Sequence, residues 1–174
     1  MDPLSKILFL ITATIFISSC TTLTSDIEVE THTDPDINYH AYHTYAWADS
    51  AQIVFDPVGQ WEQPTLDTDG EVRFIINREL RGRNINQVDK DPDLLVVFAA
   101  GVDMNVLELK ANPDADTEVL TNVPKTALVI ALIDADTGYL VWLGYATADV
   151  QKQQTIENIR RRIDYAVSQI FKTF

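Results

Sequence analysis

Apolar side chains follow a strand-like pattern in several parts of the chain. Residues 27–31 alternate apolar and polar side chains, and the aromatic-rich stretch 39–47 has strand-like composition. Continuous apolar runs of strand length lie at 94–102, 127–133 and 139–146. The turn sequence 134–138 separates the last two runs, so residues 126–146 predict a β-hairpin.

Two other stretches place apolar residues at helical spacing. Asp67, Thr68 and Asp69 offer N-caps for a helix that carries Val72, Ile75, Ile76 and Leu80 on one face. The C-terminal stretch repeats Ile156, Ile159, Ile163, Val167, Ile170 and Phe174 at intervals of three or four residues. The order β-β-α-β-β-β-β-α predicts an α+β fold, a largely antiparallel β-sheet packed by two α-helices.

The continuous apolar strands indicate that both faces of the sheet centre are covered, because a sheet with one wet face alternates. Two helices cover one face, and the apolar loop 49–68 or a partner is expected to cover the other. A pocket between this loop and the sheet would suit a small ligand. Its candidate lining residues are Tyr42, Tyr45, Trp47 and Trp142, although aromatic side chains on strands more often belong to the core.

The N-terminus has the features of an export signal. Residues 7–17 are apolar except for two threonines and are too few to span a bilayer, and Ser18 and Ser19 precede the single cysteine, Cys20. Ile17-Ser18-Ser19-Cys20 resembles the lipobox of bacterial lipoproteins. The resemblance implies cleavage before Cys20 and acylation of that cysteine, with membrane lipid as the partner of the acylated residue. Several acyl chains on one residue would anchor a protein stably.

This interpretation divides the chain into a lipoprotein signal peptide (1–19), a lipidated N-terminus and tether (20–26) and a single α+β domain (27–174). Two alternatives stay open: Cys20 could be an ordinary residue of an uncleaved anchor, or it could follow a conventional signal peptide. In enteric lipoproteins Asp after the cysteine favours inner-membrane retention. Thr21 stands there instead, so we expect a lipid-anchored protein of the cell envelope, in the outer membrane and facing the periplasm.

The net charge of −13 argues against nucleic acid as a partner, because phosphate backbones require clustered Lys and Arg. Residues 26–71 hold eleven acidic residues and no Lys or Arg, so we expect repulsion from anionic head groups to hold the domain off the bilayer. Nine of the twelve bases after residue 20 lie in 72–83 and 152–172. They are either ordinary exposed helix residues or a surface that docks on something acidic.

The chain has no catalytic motif that we can assign. It contains neither a G-x-S-x-G sequence nor a glycine-rich phosphate loop, and its one cysteine is the expected lipidation site. His40 and His43 point to opposite faces of a strand, which disfavours a zinc site with His32. Residues 134–138 lack the spacing of a calcium loop. We therefore predict no enzyme, metal or cofactor.

The order of several short motifs resembles an uncharacterised family of bacterial lipoproteins, the domain of unknown function 4136 family. The motifs are the stretch 39–47, Asp91-Pro92-Asp93 with Leu94-Leu95-Val96, Leu128-Val129-Ile130 with Asp134, and Leu140-Val141-Trp142 with Gly144. Tyr39 stands where this family is expected to have Phe. The resemblance covers about residues 26–174 and implies a small α/β envelope lipoprotein, without an activity or site residues.

The leading hypothesis is a non-catalytic, lipid-anchored envelope domain with an interaction or structural role, for which an envelope protein is the candidate partner. The alternative is a periplasmic small-ligand binding module that uses the pocket described above. The sequence leaves the oligomeric state open.

Overall fold

The computed structural model describes residues 23–33, 35, 37–48, 52–55, 66–103, 107–111, 118–122, 125–151 and 154–174. The helices are α1 (Thr68–Gly82) and α2 (Ile156–Ile170), with short 3-10 turns at Tyr39–Ala41 and Phe171–Thr173. The strands are β1 (Glu28–Thr33), β2 (Thr44–Trp47), β3 (Gln52–Phe55), β4 (Asn86–Gln87), β5 (Leu94–Asp103), β6 (Leu107–Ala111), β7 (Glu118–Asn122), β8 (Lys125–Asp134) and β9 (Leu140–Asp149).

Seven strands form one mixed sheet in the order β1-β9-β8-β5-β2-β4, and β3 also pairs with β5. The β1–β9, β9–β8 and β8–β5 pairs are antiparallel, whereas β2 and β3 lie parallel to β5 and β4 lies parallel to β2. β2 pairs with residues 94–96 of β5 and β3 with residues 99–101, so they follow one another along the same edge. A separate pair is formed by β6 and β7.

The two faces of the central strands differ in burial. On β5, Leu94, Val96 and Phe98 are fully buried, whereas Leu95 and Val97 are half-buried. The same alternation runs along β8 and β9. The fully buried positions face the two helices, whose inward stripes include Ile76 and Ile163. The sequence alone suggested two covered faces. The described helices cover one, and the other is only half-buried.

Local side chains define where both helices begin and where the first one ends. Asp67 caps α1 by accepting a hydrogen bond from the Gly70 N–H at 2.9 Å. Thr155 caps α2 in the same way, accepting from the Asn158 N–H at 3.2 Å. Asn84 takes a left-handed conformation with φ of 64° just after α1, and this conformation stops the helix.

The predicted α+β class, with a largely antiparallel sheet and two helices, is confirmed. The predicted element order was incomplete, because β3, β4 and β7 are additional strands. β3 lies inside the stretch expected to be a loop, where its sequence Gln-Ile-Val-Phe favours an extended chain. Most of the expected loop 49–68 lies outside the described residues, as do the signal sequence 1–19 and Cys20.

Gly144 on β9 should be intolerant of even one methyl group. A Cβ atom there would lie 2.4 Å from Ile170 Cγ2 and 2.7 Å from Trp142 Cη2. We expect Gly144→Ala to lower the free energy of unfolding by about 1–3 kcal/mol, because β9 is held between two strands and cannot move away.

Gly82→Ala is the matched control, since a Cβ at Gly82 meets no atom within 4 Å and the residue ends a helix. It should leave stability unchanged or raise it by up to about 1 kcal/mol. Urea denaturation of both variants checks the contrast, and equal effects would contradict this account of Gly144.

Candidate functional site

Arg162 on α2 joins the start of the domain to its C-terminal helix. The residue is only 7% exposed, and its guanidinium donates to Asp26 Oδ1 and Oδ2, at 2.7 Å each. The same guanidinium donates to the Leu23 carbonyl oxygen. A buried charge is tolerated only when it is paired in this way. We call this contact of Leu23 and Asp26 with Arg162 the N-terminal clasp.

Asp26 also ties the clasp to the end of the sheet. The Asp149 N–H, at the end of β9, donates to Asp26 Oδ2 at 3.1 Å. Burial alone would raise the pKa of Asp26, but the hydrogen bonds and charge of Arg162, with the backbone N–H groups, hold that pKa below its usual value. The carboxylate therefore stays ionised, and the chain that precedes β1 is fixed against α2.

A small cavity lies beside the clasp, between α2 and the sheet. Its volume is about 50 Å³ and its lining is mostly apolar. The residues that define it include Ile27, Leu128, Ala146, Ile159, Ile163 and the side chain of Arg162. Small-molecule sites usually enclose about 300–1,000 Å³. This cavity has room for a few water molecules or a small group and is too small for a larger ligand.

The four aromatic residues proposed to line a pocket do not line this cavity. Tyr45 and Trp142 are 2% and 1% exposed and belong to the core. The Tyr45 hydroxyl and the Trp47 Nε1–H both donate to Asn77 Oδ1, at 2.5 Å and 3.2 Å. These bonds hold α1 against β2.

Tyr42 and Trp142 make their contacts in other parts of the fold. The Tyr42 hydroxyl donates to Asp134 Oδ2 at 3.0 Å, near the turn between β8 and β9. Trp142 packs on Phe171 and Phe174, with ring centroids 5.2 and 5.3 Å away. The predicted pocket would also need the 49–68 loop, most of which lies outside the described residues.

The histidines and the 134–138 turn have ordinary structural roles. His32 stacks on Tyr145, and the His43 N–H donates to Asp93 Oδ2 at 2.8 Å. Within the described ranges, no group of three His, Cys, Asp or Glu residues could hold a metal ion. Asp134 Oδ1 accepts from the Thr137 N–H at 2.8 Å, and Gly138 has a positive φ of 73°, so the segment closes a hairpin.

The predicted lipidation site precedes the clasp in the amino-acid sequence. Ile17, Ser18, Ser19 and Cys20 fall outside the described residues, which begin at Leu23. No helix in the described part of the chain is both long and apolar enough to cross a membrane. Sequence reasoning missed the clasp itself, because Arg162 sits in a run of three arginines and its partner Asp26 is far away in the sequence.

The mixed sheet, with both helices on one face and the N-terminal segment clasped to the second helix, defines a small α+β domain. The chain belongs to the DUF4136 family, described as a domain of unknown function, whose model matches residues 29–174. No curated protein matches the chain significantly in sequence.

Solved structures resemble this fold at low sequence identity. A DUF4136 family protein from Bacteroides thetaiotaomicron is 13% identical, with 85% of this chain and 95% of that chain covered and a TM-score of 0.55. The PelC dodecamer from Paraburkholderia phytofirmans is 12% identical, covering 83% and 94%, with a TM-score of 0.47. A minor lipoprotein from Acinetobacter baumannii is 10% identical, covering 76% and 92%, with a TM-score of 0.36.

Proposed function

We propose that the chain is a non-catalytic domain of the cell envelope, anchored by lipid on Cys20 in the outer membrane and facing the periplasm. The N-terminal clasp carries this proposal. It fixes the chain to the folded domain from Leu23 onward, three residues after the cysteine of the lipobox-like sequence. A force on the lipid anchor would thus be transmitted to the core through the contact between Arg162 and Asp26.

The role of the anchored domain is structural or interactive rather than chemical. The charged side chains of the clasp hydrogen-bond to each other, and the cavity beside them is small. That size disfavours ligand binding at this cavity, although the alternative pocket beneath the 49–68 stretch stays a separate hypothesis. An envelope protein remains the candidate partner.

Substitution of Cys20 should abolish membrane attachment. In the wild type we expect a mature N-terminal peptide that begins at Cys20 and carries the mass of a diacylglyceryl group plus an acyl chain. In Cys20→Ser this modified peptide should be absent. Mass spectrometry of the N-terminal peptide, with fractionation of cells into membrane and soluble parts, measures both effects. An unmodified Cys20 in the wild-type protein would rule out the anchor.

The interaction role needs its own measurement. Mild cross-linking of wild-type protein in intact envelopes should trap a specific neighbour, and the same treatment of Cys20→Ser should not. A wild-type protein that captures no envelope protein would count against an interaction role and favour a structural one.

A further inference from the structure

The two helices expose a surface whose charge differs from that of the rest of the protein. Eight residues of α1 and α2 are exposed; four of them are arginines and only Glu157 is acidic. Six exposed residues form what we call the outer helix surface: Phe74, Arg78, Arg81, Arg161, Tyr165 and Lys172. Phe74 is 65% and Tyr165 37% exposed, so this surface combines cations with open aromatic rings.

The packing of the helices explains why the surface is basic. Contacts run in the same order along both helices, with Glu71 paired to Arg160 and Arg78 to Asp164, so α1 and α2 lie side by side and parallel. Glu79 is half-buried between Arg78 and Arg83. Glu71, Glu79 and Asp164 are therefore engaged with neighbouring arginines, whereas Arg81 and Lys172 are exposed on the outer helix surface.

The acidic charge lies on other parts of the molecule. Among the residues outside the helices and the last four positions whose side-chain exposure the structure describes, seven Asp or Glu residues are exposed and Lys90 is the one exposed Lys or Arg. They include Glu28 and Glu30 on β1 and Asp136 in the turn between β8 and β9. At physiological ionic strength, charges more than about 8 Å apart in solvent are largely screened. The net charge of −13 therefore does not prevent a basic face from meeting an anionic surface.

The length of the tether brings this basic face close to the bilayer. Leu23 is the third residue after Cys20, and three residue-to-residue steps reach at most about 10 Å. Because the Leu23 carbonyl accepts a hydrogen bond from the buried Arg162, the tether ends beside α2, at the residue that follows the exposed Arg161 in sequence. This contact leaves the domain little room to stand off the bilayer. The acidic segment 26–71 alone had suggested that it would stand off.

We propose that the outer helix surface docks on anionic phospholipid head groups of the bilayer that holds the lipid on Cys20. The proposal rests on the lipid anchoring proposed above. Arg and Lys side chains attract anionic head groups, and aromatic rings favour the level of the head groups in a membrane. The domain then lies with its helices on the membrane and its acidic strands toward the aqueous side.

Site-specific fluorescence can test this orientation in the full lipidated protein. Cys20 is the single cysteine, so once it is acylated an introduced cysteine is the one free thiol. An environment-sensitive dye is attached to Phe74→Cys, and separately to Tyr165→Cys in case either variant folds poorly. Tyr139→Cys is the matched control, because Tyr139 is also an exposed aromatic residue, 76% exposed. It precedes β9, whose other end contacts Asp26, so about 30 Å of strand separates Tyr139 from the clasp.

The labelled proteins are reconstituted into phosphatidylcholine vesicles with or without phosphatidylglycerol, and quenching by spin-labelled lipid is measured. We expect a blue shift and strong quenching at positions 74 and 165 with phosphatidylglycerol, and neither at 139. Adding Arg161→Glu and Lys172→Glu should remove most of that quenching while circular dichroism stays unchanged.

The outcomes separate failure of docking from failure of the anchor. If the protein does not float with vesicles of either composition, the lipid anchor fails, and the docking proposal falls with it. If it floats but 74 and 165 are quenched no more than 139, docking alone is overturned. Equal quenching without phosphatidylglycerol also overturns it. A blue shift without quenching overturns it as well, because it would mean that a second copy of the protein covers this surface.

Discussion

Trp142→Ala should lower the free energy of unfolding by about 3–5 kcal/mol, enough to unfold a large part of the protein at moderate denaturant concentration. Trp142 is 1% exposed and lies against Phe171 and Phe174, so it joins β9 to the end of the C-terminal helix. Alanine would leave a cavity the size of an indole ring, and the neighbouring rings cannot fill it without leaving their rotamers. Urea denaturation of the wild type and the variant measures the loss.

Trp142→Phe is the informative control. Among the described residues, the buried Trp142 Nε1 has no hydrogen-bond partner, and an unpaired buried N–H costs about 1–3 kcal/mol. Phenylalanine keeps a ring in the stack and removes this N–H, so its cost should be well below that of alanine. If both substitutions cost the same, the filled volume at this position is not what stabilises the fold.

The strongest sequence patterns were sufficient to predict the antiparallel half of the fold. The 3.6-residue stripe of α2 and the turn between two apolar runs depend on neighbours in the chain, so periodicity alone reveals them. The parallel half depends on distant contacts. Asp93 Oδ2 accepts from the His43 and Thr44 N–H groups at 2.8 and 2.9 Å, which sets β2 beside β5 across about fifty residues. No local pattern specifies that pairing.

The same limit applies to the site. Arg161 and Arg162 are adjacent in sequence and similar in chemistry, yet the first is exposed and the second is 7% exposed. Only the position of Arg162 beside the apolar stripe of Ile159 and Ile163 distinguished it in the sequence. Its partner Asp26 lies 136 positions away, so the clasp required the fold to be known. Clustering of basic residues on the helices was visible in the sequence, but their engagement with the helix acids was not.

Replacing Arg162 with Met should cost about 3–5 kcal/mol of unfolding free energy, because it leaves the Asp26 carboxylate partly buried without its guanidinium. Methionine retains an apolar stem of similar length, so the loss reports the charge and hydrogen bonds. Arg161→Met is the matched control and should change stability by less than about 0.5 kcal/mol, since Arg161 is exposed.

A double-mutant cycle separates the clasp from the general cost of either change. Asp26→Asn with Arg162→Met removes both charges, and the pair should be clearly more stable than the sum of the single losses predicts. Additive losses would mean that Arg162 and Asp26 contribute independently, and would remove the clasp as the link between tether and core.

The pH dependence of the stability difference between wild type and Arg162→Met is a second test of the contact between Arg162 and Asp26. Arg162 holds the pKa of Asp26 below its usual value of 3.8, so the clasp stabilises the fold above that pH and loses its contribution as the pH falls through the folded-state pKa. Without Arg162, burial raises the pKa of Asp26. Protonation of Asp26 then removes the unpaired, partly buried charge that destabilises the variant. The stability gap between wild type and Arg162→Met should therefore be widest near neutral pH, begin to narrow as the pH falls through the raised pKa of the variant, and narrow further as it falls through the lowered pKa of the wild type. Denaturation curves across this range measure the gap, and a gap that stays constant would show that Arg162 stabilises the domain through packing alone.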